Sequence, residues 1–230
     1  MVELILRGFF KTMNKTETII YFVRHGESLG NLNRVCLGHT DLDITDLGRK
    51  QARKTAEALS TLKFAAIYSS DLIRAVNTAK PHAEIRGMEV VASTDFRELY
   101  FGDWENSSVD FLVERYRDDF TVGWRQKFGT FTAPNGESVV EMAKRMALGA
   151  QKIARKHPGE NIRVVSHAAA IRALWGEISG LDPEAWVNNP FPSNASYSIV
   201  KYDGEKMIPC EYSVEDHLGE MITNILPIKK

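Results

Sequence analysis

Ile19-Ile20-Tyr21-Phe22-Val23-Arg24-His25-Gly26-Glu27-Ser28 is the stretch that decides the fold. Five apolar or aromatic residues run together and stop at a charged pair and a glycine. An unbroken apolar run of this length reads as a strand buried on both faces of a parallel sheet. Gly26 lets the backbone turn sharply or come close to a ligand. His25 then sits just past the carboxyl end of a strand, where open α/β sheets bind their ligands. Arg24 beside it supplies a planar, permanently charged fork suited to phosphate. An isolated Arg-His pair is commonplace, so the weight falls on what the rest of the chain adds.

Outward from that stretch, strands are expected at Ala65 to Ser69, Met88 to Val91 and Ile162 to Ser166, the last delivering His167 to its carboxyl end. Helices are expected from Asp46 to Leu59 with Thr45 as N-cap, from a Ser70 or Asp71 cap to near Pro81, from Ser138 to Lys156, and from Ala168 to Ile178 before Gly180. On the second of these, Leu72, Ile73, Ala75, Val76 and Ala79 face the core and Arg74 lies in the first turn, where free N–H groups already favour anions. Leu29 to His39 reads as a loop, and Ser196 to Tyr202 with Glu205 to Cys210 as a hairpin across Asp203-Gly204. Between Trp104 and Pro134 the chain turns aromatic and mixed in charge, with one helix near Val109 to Arg117. Alternating strands and helices predict an α/β fold in three layers, a mainly parallel central sheet with helices on both faces. The expected organisation is one catalytic domain over 19–212 with an inserted lid at 104–135, an N-terminal extension at 1–18 and a C-terminal tail at 213–230. Met13 is a candidate natural start.

The 230 residues are 43% hydrophobic and 26% charged, an ordinary globular composition. Lys and Arg number 29 against 30 Asp and Glu, so no global charge argues for nucleic acid or a membrane surface, and an anion site must be local. Val2 to Phe10 is apolar but broken by Arg7 and Gly8, unlike a secretory segment, and no later run reaches membrane-spanning length. Cys36 and Cys210 are too few for a disulfide framework. Cys36 also fails as a tyrosine-phosphatase nucleophile, because Leu42 stands where that loop needs arginine. Asp41-Leu42-Asp43-Ile44-Thr45 imitates a haloacid dehalogenase motif but lacks the apolar strand that must precede it. No metal ligands stand at a recognisable spacing, and His39, His82, His157 and His217 read as surface or local structural residues.

Arg24-His25-Gly26-Glu27-Ser28 with Asn31 resembles the signature of the histidine phosphatase superfamily, the phosphoglycerate mutase-like proteins. Ser69-Ser70-Asp71-Leu72-Ile73-Arg74-Ala75, Glu98-Leu99-Tyr100-Phe101-Gly102-Asp103-Trp104-Glu105, Gly136-Glu137-Ser138 and Val164-Val165-Ser166-His167 with Ile171-Arg172 resemble its further motifs, in the family's order. The resemblance implies a phosphoglycerate mutase-like fold and a set of roles. His25 is the nucleophile that becomes phosphohistidine; Arg24, Arg74 and His167 hold the phosphoryl group; Glu98 donates and accepts the proton. Ser28, Asn31, Leu37, Gly38 and Ala168 fall at substrate-contacting positions. Ala168 departs from the family's glycine, adding a methyl beside the phosphate site, and Asn106 replaces another glycine but tolerates positive φ.

The chemistry fits those residue types. A neutral imidazole attacks phosphorus and splits hydrolysis into two easier steps. Two guanidiniums and a second histidine balance the charge of the transferring group, so no cofactor or metal is called for. Cofactor-dependent mutases of this family carry a long basic insert that grips a second phosphate; here the segment from Glu98 to Gly136 is short and mixed in charge. The expectation is therefore a cytoplasmic, metal-independent phosphomonoesterase acting on small phosphorylated metabolites, without nucleic-acid or membrane partners. A homodimer is among the assemblies the sequence leaves open. The runner-up is a cofactor-dependent phosphoglycerate mutase, and a catalytically silent phosphate-ligand-binding protein stands behind it.

Overall fold

The computed structural model describes residues 17–223. Residues 1–16 of the expected 1–18 extension, with Met13, and the last seven residues of the tail lie outside the described residues. In chain order the elements are β1 (Thr18–Arg24), α1 (Leu29–Leu32), β2 (Val35–Cys36), α2 (Asp46–Ala58), β3 (Ala66–Ser69), α3 (Ile73–Arg86) and β4 (Val90–Ala92). Then come β5 (Ser107–Ser108), α4 (Val109–Arg115), α5 (Trp124–Gln126), α6 (Val139–Ala154), β6 (Asn161–Ser166), α7 (Ala168–Ile178), β7 (Tyr197–Tyr202) and β8 (Met207–Val214).

Six strands form one sheet in the order β4-β3-β6-β1-β7-β8. β4, β3, β6 and β1 are mutually parallel, and the β7–β8 hairpin is antiparallel. β1 is central, between β6 and β7. Its Ile20 and Phe22 join Ile162 and Val164 in a core covered by α6 and α7, while Val23, Ile67 and Val165 pack with Ala75 and Ala79 of α3 on the opposite face. That is the three-layer α/β arrangement expected from sequence. Each such fully buried aliphatic or aromatic side chain stabilises by about 1.5–3 kcal/mol. β1 is not buried throughout, however, since Ile19 and Tyr21 are only half-buried.

Several local expectations need correction. Leu29 to His39 is not simply a loop: Ser28 caps α1 in a capping box with Asn31, and β2 pairs with β5 in a small ribbon. Neither Ser70 nor Asp71 stands at the cap of α3; Leu72 does, and the N–H of Ile73 is taken up by Asp41 Oδ1 at 2.7 Å from a distant loop. α3 does not end near Pro81 but runs through it to Arg86, and the helix closes at Gly87, whose φ of +62° supplies the left-handed cap. Ile73 is 40% exposed rather than facing the core. β8 lies later than expected and reaches Val214, and the chain beyond it packs back on α2, where Gln51 Nε2 donates to the Met221 carbonyl at 2.7 Å. Elsewhere Thr45 accepts the Gly48 N–H as the N-cap of α2, and Ser138 caps α6 with Glu141. Among the described residues no helix is long and apolar enough to cross a membrane.

The aromatics of 104–135 do not stand apart. Trp104, Phe120, Trp124, Phe128 and Phe131 are buried in the same cluster as Ile20 and Phe22. Trp104 lies 5.5 Å from Phe120 and 5.7 Å from Phe131 between ring centroids.

His82 is fully buried on α3, edge-on to Phe64, and neither ring nitrogen has a hydrogen-bond partner among the described residues. Burial first, then the nearby Arg163 and Arg86, lower its pKa to about 3. Folding therefore favours the neutral ring: its contribution is complete above the unfolded histidine value near 6.5 and is lost as pH falls towards the folded value. His82→Leu is expected to flatten the fall in unfolding free energy between pH 6 and 4 by about 1.4 kcal/mol per pH unit, the weight of one proton. Urea titrations at stepped pH check this, and an unchanged slope would refute it.

Candidate active site

The parallel pairing of β1 with β6 sets Arg24 opposite Ser166. His25 and His167 each follow one step later, and the His25 N–H donates to the Ser166 carbonyl at 2.9 Å. The two imidazoles meet edge-to-face with centroids 5.2 Å apart. Gly26 allows the turn for a reason other than ligand approach: a Cβ there would lie 2.5 Å from the Gly48 carbonyl oxygen, so α2 can pack on the strand end only against a glycine.

A cavity of about 460 Å³ opens at this end of the sheet. Nine of the residues read from sequence line it: Arg24, His25, Ser28, Asn31, Leu37, Gly38, Arg74, Glu98 and Ala168. His167 is the exception, fully buried beside His25 with neither ring nitrogen hydrogen-bonded among the described residues.

His25 Nδ1 lies 2.7 Å from the Gly26 carbonyl. A carbonyl only accepts, so Nδ1 carries the hydrogen and Nε2 keeps the lone pair. Burial, then Arg74 and Arg24, push the His25 pKa well below the usual histidine value, against the pull of the Gly26 carbonyl. The same kind of burial, with Arg74 and His25, lowers His167. Arg24 and Arg74 are lowered by burial to about 10 and stay charged at neutral pH, with Glu98 opposing the shift in both. Cys36 also lines the cavity, but burial raises its thiol pKa strongly, which removes it as a thiolate nucleophile.

The cationic groups are held by carbonyls. Arg24 donates to Pro192 O at 2.7 Å, and its Nε is buried without a partner among the described residues. Arg74 forks onto Gly38 O at 2.6 Å and Thr40 O at 2.9 Å. Glu98 sits at the start of α7: Oε1 accepts from the N–H groups of Leu99 and Ala170, both at 3.0 Å, and Oε2 from that of Ala169 at 3.2 Å. Asn31 Oδ1 accepts from Ser28 N and from Asn194 Nδ2, both at 3.1 Å. With both lone pairs spent, Asn31 has its NH₂ group to offer a ligand. Asn106 takes a φ of +59°, as the sequence allowed.

Sequence reasoning missed the residues that hold these groups in place. Glu105 accepts His39 N at 2.6 Å and Thr40 Oγ1 at 3.1 Å, so it fixes the loop whose carbonyls hold Arg74. His39, read as surface or local structure, reaches the Glu98 carbonyl through Nε2 at 2.9 Å. Arg145 pairs with Glu137 through two contacts of 2.9 and 2.8 Å and also reaches the Asp95 and Arg97 carbonyls. Glu105 and Glu137 stand inside motifs quoted from the sequence, which was the available signal; Asn194 and Arg145 had none. Among the described residues no group of three or more His, Cys, Asp or Glu could hold a metal ion.

The model of the histidine phosphatase superfamily (branch 1) matches residues 20–212. The chain belongs to this superfamily. This histidine phosphatase is 33% identical over 205 residues to the uncharacterized phosphatase PhoE of Bacillus subtilis (strain 168), spanning 89% of the chain and 99% of that protein. It is 34% identical over 200 residues to the probable phosphoglycerate mutase GpmB of Photorhabdus laumondii, spanning 85% of the chain and 90% of that protein. The structure of a mycobacterial glucosyl-3-phosphoglycerate phosphatase complexed with VO3 superposes with a TM-score of 0.80 at 26% identity, covering 86% of this chain and 99% of that one.

Glu105→Ala removes the anchor of the 38–40 loop. It is expected to lower unfolding free energy by about 1–3 kcal/mol and, because Arg74 loses its brace, to raise KM and lower kcat together. Glu105→Gln keeps one acceptor and should restore part of both. Steady-state kinetics with a matched urea titration check this; a stability loss with unaltered kinetics would confine Glu105 to the fold.

Proposed function

We propose that the chain is a phosphomonoesterase acting on small phosphorylated metabolites through a phosphohistidine on His25. The observation that carries this is a neutral imidazole with its Nδ1 hydrogen tied to Gly26 O, beside two buried arginines in one cavity. Nε2 attacks phosphorus, forming the P–N bond as the P–O ester bond breaks, and Glu98 gives its proton to the leaving alkoxide. Glu98 then takes a proton from water, whose oxygen bonds phosphorus as the P–N bond breaks and phosphate leaves. Arg24 and Arg74 bear the charge of the transferring group, the neutral His167 beside His25 offers it a ring N–H, and Ser28, Asn31, Leu37, Gly38 and Ala168 line its path. The segment 104–135 closes the cavity as a lid, contributing Val109, Phe120, Trp124 and Arg125. No nucleic-acid or membrane partner is required, and the cytoplasm is the compartment that fits two free cysteines. Phosphatases among the relatives support hydrolysis over the mutase reaction, as does the absence of a long basic insert.

His25→Ala is expected to abolish turnover and any acid-labile phosphoenzyme, while EDTA leaves turnover intact. Glu98→Gln should slow alkyl phosphates far more than aryl phosphates, whose leaving groups need less protonation. Rapid-quench labelling and initial rates read both; restoration by magnesium after chelation, or equal losses on the two substrate types, would overturn the mechanism.

Because burial lowers the His25 pKa, the nucleophile stays unprotonated below pH 6.5. With a phosphoester whose own second ionisation lies well below 6, the acid limb of kcat/KM is expected well under pH 6.5. A limb at 6.5 would mean that His25 titrates as an exposed histidine.

A further inference from the structure

Five arginines line the cavity, Arg24, Arg34, Arg74, Arg125 and Arg172, against one carboxylate, Glu98. Arg24 and Arg74 stand with His25. Arg172 belongs to the wall: its guanidinium is sandwiched 4.1 Å from the ring centroids of both Phe128 and Phe191, and it donates to Val187 O at 2.7 Å. Arg34 and Arg125 remain, and the phosphoryl chemistry uses neither. Arg34 is held on left-handed backbone, φ +54°, a conformation non-glycine residues rarely adopt. Its guanidinium is bridged to Asp110 at 2.8 Å. Arg125 is half-buried and has no hydrogen-bond or ion-pair partner among the described residues.

We propose that Arg125, with Arg34 beside it, forms a second anion subsite in the leaving-group end of the cavity, specific for a carboxylate on the substrate's alcohol part. This deepens the phosphomonoesterase reading and rests on it. Three features of the cavity support it. Burial and the charge of Arg34 both work against the Arg125 cation, and Arg125 itself has no ion-pair partner among the described residues. Arg34 with Asp110 sums to zero, which leaves one unmatched positive charge: a monoanionic carboxylate balances it, whereas a second dianionic phosphate exceeds it. The guanidinium fork also matches two coplanar carboxylate oxygens. Asn189, another lining residue, adds a buried Nδ2 donor without a partner among the described residues. The cavity that holds this pair and His25 is also lined by Phe101, Phe120, Trp124 and Phe191, and about 460 Å³ exceeds the needs of a three-carbon ester. The favoured substrate is thus a phosphomonoester whose alcohol is bulky, partly apolar or aromatic, and carboxylated at its far end.

The test uses 4-carboxybenzyl phosphate, its neutral 4-carbamoyl analogue and the corresponding benzylic bisphosphate, with phosphate release as the readout. The intact protein is expected to prefer the carboxylate over the amide by roughly tenfold in kcat/KM, the difference lying in KM, the equivalent of one modest ion pair. Arg125→Gln should bring the ratio near one, and Arg125→Glu should invert it. Equal KM values in the intact protein, a preference that survives Arg125→Gln, or a preference for the bisphosphate would each overturn the subsite while leaving the phosphatase reading standing. Release of phosphate from none of the three would overturn both.

Discussion

The site depends on the register between β1 and β6. Arg24 opposite Ser166 means that the two imidazoles leave adjacent parallel strands at the same height. Side chains alternate faces along a strand, so a slip of one residue would send one histidine to the other side of the sheet. Ile20, Phe22 and Val23 prevent that slip: Ile20 and Phe22 fill the core under α6 and α7, and Val23 fills the opposite one. Core packing and catalytic geometry are here one constraint, because exchanging the faces of β1 would bury none of these side chains correctly.

Electrostatics builds on that placement. Two arginines and two histidines share a buried end of the sheet, which is unfavourable for charge unless something relieves it. The histidines relieve it by staying neutral, and the arginines by donating to the Pro192, Gly38 and Thr40 carbonyls with Glu98 nearby. A site in this condition has an electrostatic demand for anions before any ligand arrives, and the same burial keeps the nucleophile in its reactive form.

The mainly parallel sheet, both histidines, Arg24 and Arg74 were legible because these residues stand at strand ends or a helix start marked by local signals such as an apolar run or a glycine. Glu98, by contrast, sits in the loop beyond β4 and was legible only through the motif that carries it. Pro81 misled, since a proline inside a helix is a common stop, but buried Ala79, His82 and Ala83 keep α3 going until Gly87. The supports were mostly illegible. Asp41 capping α3, Asn194 holding Asn31 and Arg145 collecting carbonyls all join residues far apart in the chain through single polar contacts, which leave no period to read. Only the folded chain turns Arg34 and Arg125 toward one cavity.

Arg74 grips the carbonyls of Gly38 and Thr40, while Gly38 and its neighbours Leu37 and Cys36 also wall the cavity. Gly38 has little freedom of its own, with a φ of +49° and a Cβ position only 2.1 Å from Glu105 Oε1. Changes in this loop that retune substrate choice would disturb the phosphate grip as well. Among the described residues the wall from Val187 to Phe191 makes no such contact with Arg74, and it meets the phosphate grip only through its neighbour Pro192, whose carbonyl holds Arg24. In an evolving lineage, then, new specificities have an open route through that wall and a nearly closed one through the loop, so diversification should accumulate unevenly around the cavity's rim.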